Sequence, residues 1–166
     1  LRIHSDSIIG NDGNGNSIFE YDSTTTTDST GSFQVNNPEA GNYTLIIDQP
    51  TSGYVIAGIT RDIPIEVEPD SNESVIVYVK PYVSYSALLT IVDVSNTRLG
   101  DATVQLSTPN ASYDRTLTTT SYGQVFFDDL TPDTYNLTVE LDGYTSYTGS
   151  LTVTTNEQQT ISLPTI

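Results

Sequence analysis

Apolar and polar residues alternate along most of this chain with a period of two. Ala102, Val104 and Leu106 alternate with Thr103, Gln105 and Ser107, the mark of a strand that buries one face. Comparable runs predict strands at residues 85–94, 115–119, 124–127, 134–141, 146–154 and 159–163. Turn residues (Gly, Pro, Asn and Asp) cluster between them. No stretch of ten or more residues shows the 3.6-residue apolar period of a helix, so the chain reads as all-β. Seven short strands at this spacing predict a β-sandwich, with Val125, Phe127 and Leu130 facing inward against Tyr135, Leu137 and Val139.

The pattern occurs twice. Gly31-Ser32-Phe33-Gln34-Val35 and Gly41-Asn42-Tyr43-Thr44-Leu45 return as Gly123-Gln124-Val125-Phe126-Phe127 and Asp133-Thr134-Tyr135-Asn136-Leu137, with Gly31 and Tyr43 each 92 positions from their counterparts. Two modules of the size that barely folds alone are therefore expected, at residues 1–82 and 83–166. Residues 17–27 match 109–119, and residues 74–80 are expected to close the first module. Only residues 1–9 remain before that match. If they form the second strand, nothing corresponds to the opening strand at 85–94. The expected architecture is two tandem seven-stranded-type, Ig-like β-sandwiches, the first without its opening strand. Each inward side chain left wet by that deficit forfeits about 1.5–3 kcal/mol. Residues 79–85 hold Pro81 and no Gly- or Ser-rich linker, which predicts a stiff, end-to-end pair. With neither Met nor a basic–apolar leader in front, Leu1 is expected to follow a processing cut or the boundary of a fragment.

Charge narrows the function classes. Asp and Glu outnumber Lys and Arg 21 to 5, a net charge of −16. A field of that sign repels phosphate backbones and anionic bilayers, so neither nucleic acid nor a membrane surface is an expected partner. No apolar run approaches a membrane span. The absence of Cys excludes disulfides, leaving packing, ions, glycans or neighbouring chains to stabilise the modules. His4 is the only His, and no Ser sits in a Gly-x-Ser-x-Gly elbow, so no enzyme is expected. Nor is a deep cleft expected in sandwiches this small.

Several residues are candidates for binding or modification. Asp12, Asn14 and Asn16 place oxygen ligands at alternate positions, as Ca²⁺ loops do, with Glu20 or Asp22 available to complete a site. The same residues suit a glycine-rich hairpin turn. Asp128, Asp129 and Asp133 read as solvated loop carboxylates. Asn42, Asn72, Asn110 and Asn136 head N-glycosylation sequons, and Thr24–Thr27 and Thr118–Thr120 offer hydroxyls for O-glycans. Tyr82, Tyr85, Tyr113, Tyr122 and Tyr147 suit either sugar stacking or half-buried strand positions.

The segment from Thr25 to Phe33, then Ala40 to Leu45 and Gly53-Tyr54, resembles the CnaB and SdrD-B modules of bacterial surface proteins. It is equally similar to carboxypeptidase regulatory-like domains, which share a transthyretin-like sandwich. The matching pieces of the second module are 118–127, 130–137 and Gly143-Tyr144. The resemblance implies stalks, spacers or pilin building blocks. In CnaB modules it also implies a Lys–Asn or Lys–Asp isopeptide, but the only Lys, Lys80, falls at the closing end of the first module, so none is expected.

The deficit in the first module points to a partner that lends it backbone. The expected function is a structural subunit of an extracellular, cell-surface filament that polymerises with itself, head to tail, by strand donation. Donor candidates are the N-terminal segment with Leu1, Ile3, Ile8 and Ile9, or the C-terminal residues 159–166. Alternatives are a stalk of a larger adhesin or S-layer protein, and a carbohydrate-binding module of a secreted enzyme.

Overall fold

The computed structural model describes residues 1–36, 38–48 and 51–166, and all of its regular structure is β. The strands are β1 (Arg2–Ser5), β2 (Ile8–Asn11), β3 (Ser17–Phe19), β4 (Asp22–Thr24), β5 (Gly41–Ile46), β6 (Tyr54–Ile59), β7 (Ile65–Val67) and β8 (Val77–Pro81). They continue as β9 (Ser86–Asp93), β10 (Thr103–Ser107), β11 (Asp114–Thr118), β12 (Gln124–Phe127), β13 (Asp133–Glu140), β14 (Tyr147–Val153) and β15 (Asn156–Leu163). Backbone contacts divide the chain into a first unit, Leu1–Tyr54 with Ile59–Ile76, and a second, Val55–Gly58 with Val77–Ile166. The division departs from residues 1–82 and 83–166. The second unit takes in β8, because β8 pairs with β6 in a two-stranded sheet.

In the second unit, β9 to β15 make the seven strands that the apolar spacing predicts. One layer runs β11-β10-β13-β14 and the other β12-β9-β15. Strand β9 is the middle of the smaller layer, antiparallel to β12 and parallel to β15 from Asn156↔Ser86 to Leu163↔Asp93. Its Ala87, Leu89 and Ile91 are fully buried with Val104, Leu106, Phe127, Leu137 and Val139. The alternation in β10 and β13 is what makes this possible, since every second residue meets the facing layer. Gly123 shows how closely β9 is held. Its φ is 65°, and a Cβ there would lie 2.6 Å from the Ile91 carbonyl oxygen.

Among the described residues, the first unit repeats one layer of that sandwich and not the other. Its four-stranded sheet runs β4-β1-β5-β7, the order of β11-β10-β13-β14. The Ser5 amide donates to the Tyr21 carbonyl as the Thr108 amide does to that of Tyr113, and in each pair the hydroxyl accepts the tyrosine amide at 3.0 Å. Tyr21 meets Tyr43 edge-on at 5.7 Å, as Tyr113 meets Tyr135 at 5.3 Å. Tyr43 and Tyr135 each donate their hydroxyl to the carbonyl four residues earlier, Glu39 and Thr131. Strand β1 is therefore the counterpart of β10, the second strand, as residues 1–9 predict. The matched residues are 16 apart in the first unit and 5 in the second. The excess is the hairpin β2–β3, which the second unit lacks.

The expected closing strand at 74–80 does not form as a unit. Residues 71–76 join no ladder, and the strand that does form begins at Val77. In the second unit the closing strand bonds to the opening strand. With no opening strand beside it, the first unit's counterpart has no ladder to join.

Replacing Gly123 with Ala is expected to lower the second unit's stability by about 2–4 kcal/mol, since both its φ and the Ile91 backbone reject a Cβ. At Gly31, φ is 82° but a Cβ would have nothing within 4 Å. Gly31→Ala should therefore cost the first unit only about 1 kcal/mol. Urea unfolding followed by NMR, reading Leu89 and Leu45 separately, measures both.

Candidate functional site

A groove of about 630 Å³ opens in the first unit. Its floor includes Ile3, Tyr43, Leu45 and Ile65, each no more than 9% exposed. One wall is Phe33, Gln34, Val35 and Asn36; the other runs from Glu68 to Val75. The groove departs from the expectation that small sandwiches lack a deep cleft.

The second unit explains what the walls are. Phe33 and Val35 hold the places of Val125 and Phe127 in β12. Tyr43 pairs with Ile65 as Tyr135 pairs with Leu151, so counting onward puts Val75 at the place of Ile161 in β15. The two walls thus correspond to the two strands that flank β9. Among the described residues, neither wall joins a ladder. Phe33, Val35 and Val75 are half-buried, whereas Val125, Phe127 and Ile161 are at most 5% exposed. Gly31 makes the same point. Gly123 is crowded by the backbone of β9, while its counterpart Gly31 faces open space. The groove is the middle-strand position of a β-sandwich, with an apolar floor and backbone free of any ladder on both sides. The useful signal in the sequence is the shared spacing of Ile65 to Val75 and Leu151 to Ile161.

The donor candidates lie elsewhere. The Leu1 amino group donates to the Thr25 carbonyl at 3.0 Å, and Ile3 is buried in β1, paired with Ser23 on one side and Leu45 on the other. A strand bonded along both edges is not free to donate, which corrects the role expected for Leu1 and Ile3. Ile8 and Ile9 are 58% and 67% exposed on the β2–β3 hairpin. The C-terminal candidate is also engaged, since β15 lies along β9 with Leu163 fully buried, and the Ile166 amide donates to Gly143.

The rim of the groove is acidic. Glu68 and Asp70 are exposed, and Glu73 is paired with Arg61. The first unit holds 12 of the 21 carboxylates, against Arg2 and Arg61. Arg2 is itself held by Asp22 at 2.7 Å.

Asp12 serves its own loop. Its Oδ1 accepts the Asn14 and Asn16 amides and its Oδ2 accepts Asn16 Nδ2, each at 2.8 Å. These bonds, the Asn16 side chain first, hold the Asp12 carboxyl below the usual carboxylate range. Asp28 and Asp93 accept the amides two and four residues on in the same way. All three are turn caps, the hairpin alternative that Asn and Gly at these positions also allow. Asn14 is held by its backbone in this turn. Among the described residues, no three His, Cys, Asp or Glu side chains gather where an ion would sit.

His4 is 9% exposed, stacked on Phe19 at 3.9 Å with Nδ1 2.9 Å from the Ser5 carbonyl oxygen. Tyr85, Tyr113 and Tyr147 are partly buried and pack on the second unit's core, as half-buried strand positions do. Asn42, Asn72, Asn110 and Asn136 are all exposed, with Asn72 on the groove wall and Asn110 capping the Ser112 amide. Among the described residues, no helix is long and apolar enough to cross a membrane.

Lys80 belongs to the second unit, not to the end of the first. Its Nζ lies 3.0 Å from Asp128 Oδ2 and 5.1 Å from the centre of the Phe126 ring, while Arg115 holds Asp128 Oδ1 at 2.9 Å. Lys80 above all, with Arg115, keeps the Asp128 carboxyl below its usual range. The pair is an ion pair that fastens β8 to the end of β12.

Residues 89–164 match the family of carboxypeptidase regulatory-like domains, which confirms the resemblance for the second unit. No curated protein matches the sequence. Among solved structures, the minor pilin GBS52 of Streptococcus agalactiae is 18% identical, with 99% of this chain and 82% of that one covered, at a TM-score of 0.43. The TIE protein of Bacillus anthracis is 17% identical over 57% of this chain and 19% of its own, at 0.43. Catechol 1,2-dioxygenase of an Acinetobacter species is 11% identical over 50% and 53%, at 0.39. The chain therefore spans about a fifth of the TIE protein and about half of the dioxygenase.

Asp128→Asn is expected to lower the second unit's stability by about 1 kcal/mol at neutral pH, after screening of its partly exposed partners. Because the folded-state pKa of Asp128 is depressed, that stability is present above the unfolded carboxylate value and is lost as pH falls through the folded one. Urea unfolding across acid pH should show parent and variant converging.

Proposed function

We propose that this chain is a structural module of an extracellular fibre or stalk, and that a β-strand from outside residues 1–166 completes its first unit. The observation that supports this is the groove between Phe33–Asn36 and Glu68–Val75, laid out as the seat of β9 is in the second unit. An incoming strand restores two ladders and covers the half-buried Phe33, Val35 and Val75. It runs antiparallel to the first wall and parallel to the second, as β9 does with β12 and β15. In the second unit, residues 94–102 connect β9 to β10, the next strand in the chain. A segment entering the groove is correspondingly placed to lead into β1.

The mechanical reading accounts for the rest of the chain. Asp12, Asp28 and Asp93 serve turns, Asp22, Glu73 and Asp128 serve ion pairs, His4 is a packed side chain, and the −16 charge keeps modules apart laterally. Because both donor candidates of the chain itself are engaged, a strand supplied by a preceding module or another polypeptide fits better than exchange of Leu1–Ile3 or β15 between copies. The acceptor is thus the first unit, and the second unit acts as a closed spacer.

Hydrogen exchange on the isolated chain tests the acceptor reading. Amides of Phe33–Val35 and Asn72–Val75 are expected to exchange within seconds while those of Leu88–Val92 stay protected for hours. Equal protection in the three segments would show a first unit closed by its own residues and would end the proposal. Light scattering with negative-stain microscopy then decides the donor. Monomers at all concentrations support a strand from outside, whereas fibres built from this chain alone would restore donation between copies.

A further inference from the structure

We infer that the strand completing the first unit is basic, with apolar residues at every second position and Lys or Arg between them. This rests on the acceptor reading above. The inward pattern follows from β9, whose Ala87, Leu89 and Ile91 meet Leu106, Leu137 and Leu151 in one core. The floor of the groove offers Ile3, Leu45 and Ile65 at the same places, so it takes a small and then two large apolar side chains.

The outward pattern follows from charge. In the register of β15 against β9, the outward place at the start of such a strand, that of Ser86, stands beside Asp70, with Glu68 two residues ahead of it, while Glu73 is matched by Arg61. The unit around them has 12 carboxylates to two guanidinium groups. Uncompensated carboxylates on the lip repel an acidic strand and attract a cationic one, in both approach and final pairing. The chain holds only five Lys and Arg in all. Its one run that alternates apolar and basic residues, Leu1 to His4, is built into β1. The partner is therefore a cationic, amphipathic strand on a different stretch of polypeptide, not a second copy of residues 1–166.

Peptides of the sequence Ser86–Asp93 serve as probes of the full chain by fluorescence anisotropy. One carries L88K, T90K and V92K; a second carries L88E, T90E and V92E. A third, with A87K, L89K and I91K, has the wrong face charged. The Lys peptide is expected to bind roughly tenfold tighter than the Glu peptide at 50 mM salt, and the gap should close at 500 mM. The wrong-face peptide should not bind. In the exposed double variant E68Q/D70N the preference for the Lys peptide should shrink, while binding of the unmodified Ser86–Asp93 peptide persists.

Equal binding of the Lys and Glu peptides overturns the basic strand and leaves the acceptor standing. Failure of the unmodified, Lys and Glu peptides alike overturns the acceptor itself. The chain contains no Cys, so the site of binding can be checked by pairing a V75C variant with a peptide carrying one Cys. Disulfide capture at Val75 is expected with the Lys peptide, and its absence despite binding places the peptide elsewhere and counts against the inference.

Discussion

A β-strand in the middle of a layer satisfies its backbone through both neighbours at once, and the rest of this chain depends on whether that middle strand is present. In the second unit it is β9. Removing it from the picture would leave β12 and β15 without a shared partner and would uncover Phe127, Ile161 and Leu163 together. The first unit displays that outcome. Its four-stranded layer survives because β4, β1, β5 and β7 hold one another, while, among the described residues, those equivalent to β12 and β15 stay outside any ladder. The groove is what a two-layer fold becomes when one layer loses its centre.

The acidity of the chain is organised and not merely abundant. Asp12, Asp28 and Asp93 each turn their carboxylate back on the amides two and four residues ahead, so an anion is used where a turn has spare N–H groups. Asp128 joins two cations and thereby ties β8 into the second unit. On the groove, Glu68 and Asp70 stand exposed on one wall, in a unit that holds 12 of the 21 carboxylates. Charge and shape therefore favour the same kind of visitor, an extended segment with an apolar face and a cationic back.

Much of this was legible in the residue order. The strands of the second unit fall within a few positions of the alternation that predicts them, because each buries one face against a complete second layer. The repeat of Gly31 and Tyr43 at Gly123 and Tyr135 was enough to see that one strand lacked a counterpart. It was not enough to place the β2–β3 hairpin, since Ile8, Ile9 and Ile18 look apolar in sequence yet stand exposed on a ribbon with no layer beneath it. The donor role expected of Leu1 and Ile3 failed for a related reason. An apolar–basic alternation says that a segment wants a sheet, not which sheet already has it. Asp12, Asn14 and Asn16 carry the oxygen spacing of an ion loop, and only the structure shows that the Asp12 carboxylate also accepts the Asn14 and Asn16 amides of its turn.

Local chemistry alone determines that the chain is all-β, that its pattern repeats, and that its net charge is strongly negative. Those features depend on alternation, turn residues and charge count, which neighbours along the chain determine. Which strands meet is different. The pairing of β8 with β6, the burial of Ile3 and the opening between Phe33–Asn36 and Glu68–Val75 are set by segments far apart in sequence competing for the same edges. Ladder bonds are made between strands, so a missing one becomes visible only where its two would-be neighbours are seen standing apart.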